Sequence, residues 1–151
     1  MTKLNTGRVL LGGVVAALII DMIEGVVNGV VLKADWAVTM QALNRPTEVT
    51  GGAIAIYNIG GLLEGIVGVW LAAALISRYG TSSITAAKAG LVVWALVSGL
   101  PNLMMLPSGI IPGQLMATVV LTDFLSLMLG IMMGARLYRE EPAPMGAAAH
   151  A

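Results

Sequence analysis

The sequence contains no cysteine and a single histidine, His150, next to its last residue. Disulfides, thiolate catalysis and iron–sulfur ligation are thereby excluded, and a histidine-built metal site has nothing to build on. Charge is scarce as well. Charged residues make up 11% of the 151 residues, against roughly a quarter in an ordinary globular domain. The 8 basic and 8 acidic side chains cancel, so there is no clustered basic surface of the kind that binds nucleic acid. Ser–His pairing, a glycine-rich phosphate loop and a dinucleotide fingerprint are all missing. No enzymatic activity and no cofactor are expected.

What is present is apolar: 58% of the chain. A soluble domain of this length buries only a modest share of its surface, so the bilayer is expected to supply the remaining apolar solvent. Four stretches approach or exceed the roughly 20 apolar residues a crossing requires: about 8–32, 52–77, 89–106 and 113–135. The first is too long, and too acidic with Asp21 and Glu24, for a cleaved signal peptide. It reads as a retained helix.

The expected fold is all-α: an integral membrane, antiparallel four-helix transmembrane bundle over residues 1–139. Asp35 and the stripe Trp36, Met40 and Leu43 predict a short outer interfacial helix over 35–43, stopped by Asn44 and Pro46. The turn over 107–113 carries no charge, and the Pro- and Ala-rich tail over 140–151 is expected to be a disordered cytoplasmic segment. Pro101 should kink the third helix, with Asn102 beside it able to satisfy a freed carbonyl.

The acidic residues are the informative ones. Asp21, Glu24, Glu64 and Asp123 all fall inside apolar stretches, at a depth where no Lys or Arg sits. Carboxyls at that depth face the protein interior or a wet cavity and are paired or protonated. By helix rise, Asp21, Glu64 and Asp123 lie within a few ångström of the midplane, with Glu24 about one turn further out. Asn28, Asn58 and Asn102 lie about 7–11 Å beyond the centre. Asp21, Glu24 and Asn28 share one helix face, and Tyr57, Gly61, Glu64 and Gly68 another. Together Asp21, Glu24, Asn28, Tyr57, Asn58, Glu64, Asn102 and Asp123 form a candidate polar seam. It serves as interhelical glue, as a pathway or pocket for a proton, a cation or a small polar ligand, or as a site that meets another subunit.

Gly25 with Gly29, Gly61 with Gly65, and Gly130 with Gly134 are small-xxx-small pairs suited to close helix approach. Ile23-Glu24-Gly25-Val26-Val27 echoes Leu63-Glu64-Gly65-Ile66-Val67. Either an old duplication or chance in a Gly- and Val-rich chain accounts for it. The methionines read as core filler and lipid-facing surface.

The stretch from Gly90 to Pro101 (Gly-Leu-Val-Val-Trp-Ala-Leu-Val-Ser-Gly-Leu-Pro), with a Gly-rich first helix, Trp36 soon after it and a Gly-rich last helix, resembles small bacterial four-helix membrane proteins known only as a domain of unknown function. The resemblance implies the bundle and brings no activity or site residues. The expected function is a non-enzymatic structural or accessory subunit. A proton- or cation-coupled transporter or channel using the midplane carboxylates is one alternative, and a binder of lipid, quinone or pigment another. The expected partners are the lipid bilayer and either a second copy or another membrane protein.

Lys3, Arg8, Arg78, Lys88, Arg136 and Arg139 lie on one side of the alternating topology; only Lys33 and Arg45 lie on the other. Both termini are therefore expected on the cytoplasmic face of the plasma (inner) membrane. A reporter active only in the cytoplasm, fused to the C-terminus, should be active. A well-expressed but silent fusion contradicts the orientation.

Overall fold

The computed structural model describes residues 4–138, and those residues are helical with no strand. Asn5 opens α1 (Thr6–Val26), its side chain accepting from the Arg8 amide at 3.1 Å, the usual remedy for the free amides of a first turn. A wide π-helical turn, Val27–Val31, continues α1. The short α2 is Lys33–Ala42. Thr50 caps α3 (Gly51–Tyr79), accepting from the Ala53 amide. Gly80, at φ 81°, ends it in a conformation that costs glycine little. Ser82 caps α4 (Ser83–Trp94), which runs through a second π turn, Ala95–Gly99, into α5 (Leu100–Met105) and a final 3₁₀ turn, Leu106–Ser108. The last helix is α6 (Gly113–Ala135). Four continuous helices are long and apolar enough to cross a membrane: Thr6–Val31, Gly51–Tyr79, Ser83–Ser108 and Gly113–Ala135.

Several sequence expectations are adjusted. The third long helix begins at Ser83, well before residue 89, because Ser82 caps it and Lys88 is tolerated on its exposed side. The short helix begins at Lys33, so Asp35 sits in its first turn and does not cap it. The π turn ends at a bend at Leu32, whose amide bonds Val27 O at 2.8 Å. The inward stripe is thereby moved to Leu32, Trp36 and Thr39, and Leu43 is left exposed. The irregularity expected at Pro101 appears as the π turn just before it, where the Leu100 amide reaches back to Ala95 O. A π turn is a usual way to re-site the ladder where a proline cannot donate. The expected tail over 140–151 lies outside the described residues.

Helix α1 packs on α3 and α6, α4 packs on both of these, and α3 also meets α6. The approach is set by small residues. A Cβ on Gly13 would fall 2.7 Å from Ile66 Cα, and one on Gly65 would fall 2.5 Å from Gly13 O and 2.7 Å from Ala17 N. Gly12 and Gly134 face each other's carbonyls in the same way, and Gly130 lies against Ala16 O. Of the three sequence pairs, Gly61/Gly65 and Gly130/Gly134 lie in such contacts. Gly25 and Gly29 do not: nothing lies within 4 Å of a Cβ at either. The echo between the Glu24 and Glu64 segments therefore does not extend to their packing.

Burial is concentrated at one end. Val9, Ala73, Ile76 and Tyr138 cluster there, and Ile20, Ala72, Ala89, Val93, Leu127 and Ile131 continue the core toward the middle. Arg8, Arg78, Lys88 and Arg136 mark the same end, the basic end. At the opposite end no residue of Val27–Val31, 51–60 or 100–108 is buried, and burial is limited to Leu32, Thr39, Leu115 and Met116.

The neighbours of Gly65 are backbone atoms and cannot swing aside. Gly65→Leu is expected to cost at least about 1–3 kcal/mol, the usual range for overpacking, in reversible unfolding from mixed micelles. Gly25→Leu should be close to neutral. Equal stability of the two variants contradicts the assigned packing face.

Candidate functional site

The packed core ends where the carboxyls begin. Asp21, on α1, lies directly against Gly61 of α3, where a side chain larger than hydrogen would collide with its carboxyl. One turn on, Glu24 reaches across to α6, accepting from Ser126 Oγ at 2.6 Å on Oε1 and from Asn28 Nδ2 at 2.8 Å on Oε2. Asn28 in turn accepts from the indole N–H of Trp36 at 3.0 Å. The first π turn thus presents Asn28 between Glu24 and the short helix α2.

Asp123 of α6 is held from the other side. Ser98 Oγ, in the second π turn, donates to Asp123 Oδ2. Asn102 Nδ2 donates to Ser98 O at 3.0 Å. The Asn102 amide therefore supports the carbonyl one turn before it, within the irregular segment. Nearby, Trp94 donates to Val120 O at 3.0 Å and stacks edge-on against Phe124, 5.2 Å between centroids, tying α4 to α6.

Glu24 and Asp123 lie near each other, both beside Ser126, whose Oγ bonds Glu24 Oε1 and, at 3.2 Å, Asp123 O. Glu64 lies near both Asp21 and Asp123. No described side chain donates a hydrogen bond to Asp21 or Glu64, and both are partly exposed.

The structure therefore divides the candidate seam. Asp21, Glu24, Asn28, Glu64, Asn102 and Asp123 gather around one level of the bundle. Tyr57 and Asn58 do not join them. Tyr57 is 68% exposed, and Asn58 Nδ2 turns back on its own helix to Ile54 O at 2.9 Å. At the unpacked end α3 stands away from its neighbours, so the helical spacing that links Tyr57 to Glu64 brings it nothing to meet. Sequence reasoning missed Ser98 and Ser126, both buried. The available signal was a hydroxyl at helical spacing from an acid: Ser126 follows Asp123 by one turn.

Among the described residues no group of three His, Cys, Asp or Glu side chains is arranged to hold a metal ion. A groove of about 440 Å³ between the third and fourth long helices is walled by Trp94, Leu103, Met116 and Val120 and touches the polar network only at Asn102. No carboxyl lines it. No family model matches the sequence, and neither a curated protein nor a solved structure matches it.

The link from Asn28 to Trp36 is the one side-chain hydrogen bond that fixes α2 to the cluster. Asn28→Val should raise amide hydrogen exchange over 33–42 by roughly tenfold, the loss of about 1.4 kcal/mol of local stability. Unchanged exchange there would mean that α2 is held by apolar contacts alone.

Proposed function

We propose that the chain is a non-enzymatic multi-pass membrane protein that serves as an accessory or structural subunit of a larger membrane assembly. In this reading the four long helices cross the plasma membrane as an antiparallel bundle. The basic end faces the cytoplasm with both termini, and α2 lies on the outer surface. The order of contacts supports the arrangement: Val9 with Ile76 and Tyr138 at one end, Gly13 with Ile66, then Asp21 with Gly61. The likeness to small bacterial four-helix membrane proteins agrees with it.

The observation that carries the reading is the change in packing at the carboxyl level. Below it the helices touch through glycine and alanine; above it Val27–Val31, 51–60 and 100–108 bury no residue, and burial there is confined to Leu32, Thr39 and the start of α6 at Leu115 and Met116. Asp21 and Glu64 sit at that boundary, partly exposed and without a described donor. Facing hydrocarbon they would cost several kcal/mol. A second copy or another membrane protein covering the open half removes that cost.

A proton pathway is the second reading. It is favoured by the gathering of titratable carboxyls, with Glu24 bonded to Ser126 and Asp123 to Ser98 and Glu64 close to Asp21 and Asp123. In proton-tight vesicles the subunit reading expects no flux above that of empty vesicles. A flux abolished by Glu64→Gln, with the variant folded, would transfer the case to the second reading.

The subunit reading is tested in native membranes with a photo-crosslinking residue at Ile56 or Met104, 68% and 81% exposed in the open half, or at Leu18, 61% exposed beside the packed half. Discrete protein adducts are expected at Ile56 and Met104 and none at Leu18. No protein adduct at any of the three would reject it.

A further inference from the structure

We infer that the basic end of the bundle carries a binding site for the phosphate of an anionic phospholipid, in the cavity between the start of α4 and the end of α6. The inference rests on the proposal that this end lies at a membrane surface. The cavity encloses about 250 Å³. Its walls are divided. Ile76, Ala86, Met132 and Ala135 form an apolar side, and Thr81, Ser83 and Arg136 supply donors at the opening. That division suits a molecule with a glycerol and acyl portion on one side and an oxyanion on the other. An inorganic ion would leave the apolar wall unused.

Among the described residues three donors have no strong acceptor. Arg136 Nη1 bonds only the thioether of Met133, at 3.3 Å, a weak acceptor. No carboxylate among the described residues pairs with the guanidinium, which leaves its fork open to a phosphate. Ser82 is committed: its Oγ accepts from the Thr85 amide at 3.0 Å and bonds Thr85 Oγ1 at 2.8 Å. Thr81 and Ser83 have no such bond among the described residues and are exposed at the cavity mouth.

Among the described residues the surrounding charge has one sign. Arg8, Arg78 and Lys88 lie at the same end, and every described acidic residue lies elsewhere. Basic pockets between membrane helices on the cytoplasmic side are suited to anionic headgroups, and each nearby cation adds roughly 1 kcal/mol of attraction to an anionic surface. A diffuse basic rim would attract any anionic lipid weakly. What distinguishes this place is a cavity with an apolar wall and a guanidinium beside two uncommitted hydroxyls.

The test uses the full chain in nanodiscs of phosphatidylcholine, alone or with a minor fraction of phosphatidylglycerol, released into native mass spectrometry. One phosphatidylglycerol should be retained per chain, enriched roughly tenfold over its share of the disc. Arg136→Gln should abolish the enrichment. Arg78→Gln should leave it unchanged, because Arg78 lies over the Tyr79 ring, 5.9 Å from its centroid, and does not line the cavity. Equal losses in the two variants would reduce the site to general surface charge and overturn it. Equal retention of the two lipids overturns it too. Displacement of the lipid by millimolar inorganic phosphate would assign the cavity to a free anion and overturn the lipid source. Failure of the chain to enter either disc would overturn the membrane reading itself, a result distinct from the other three.

Discussion

The hydrogen bond from Ser126 to Glu24 joins two helices that lie 102 residues apart in the chain, and the polar half of the structure is organised around it. In an apolar bundle held mainly by close packing, a hydroxyl that finds a carboxyl has few alternatives; without it Ser126 keeps only the carbonyl of Asp123 on its own helix and Glu24 only Asn28. Ser126 is fully buried, so no water replaces the lost partner. Glu24 is thereby fixed facing α6, which aims Asn28 at Trp36 and brings Asp123 within reach of Ser98. The two π turns meet this need, because Asn28 and Ser98 lie within them and irregular turns inside helices commonly re-aim side chains at functional positions.

Glycine makes that geometry reachable. With backbone-to-backbone contact at Gly12, Gly13, Gly65 and Gly134, α1 sits close enough to both α3 and α6 for short side chains such as Ser126 to span the gap. Gly61 ends the run, and Asp21 fills the place a side chain would have taken. Above that level α3 and the stretch 100–108 bury no residue, and the contacts left are those of α2 with the first π turn and of α4 with α6. The chain thus pairs a rigid half with an open half and places its partly exposed acids at the boundary, the arrangement expected of one component in a larger assembly.

Much of this was legible in the sequence. Long apolar runs are the strongest signal a chain can carry, and the four long helices fall close to where those runs lie. The acids inside them drew attention to the right level, because charge is costly there wherever it points. Three features escaped. The start of the third long helix depended on the cap at Ser82, which hydropathy does not register. The glycines that matter, Gly12 and Gly13, form no small-xxx-small pair with each other, whereas Gly25 and Gly29 do and touch nothing. Tyr57 and Asn58 share helical spacing with the cluster, but spacing gives direction along one helix and says nothing of whether a second helix is there to meet it.

The account turns on the α1–α6 clasp, and a double-mutant cycle measures it most directly. Glu24→Leu, Ser126→Ala and the double variant would be compared by reversible unfolding in lipid. A coupling of about 0.6–2 kcal/mol between the two positions is expected, the range for interhelical hydrogen bonds in membranes. Additive effects, with coupling below about 0.3 kcal/mol, would show that the bond contributes nothing and that close packing alone holds the bundle.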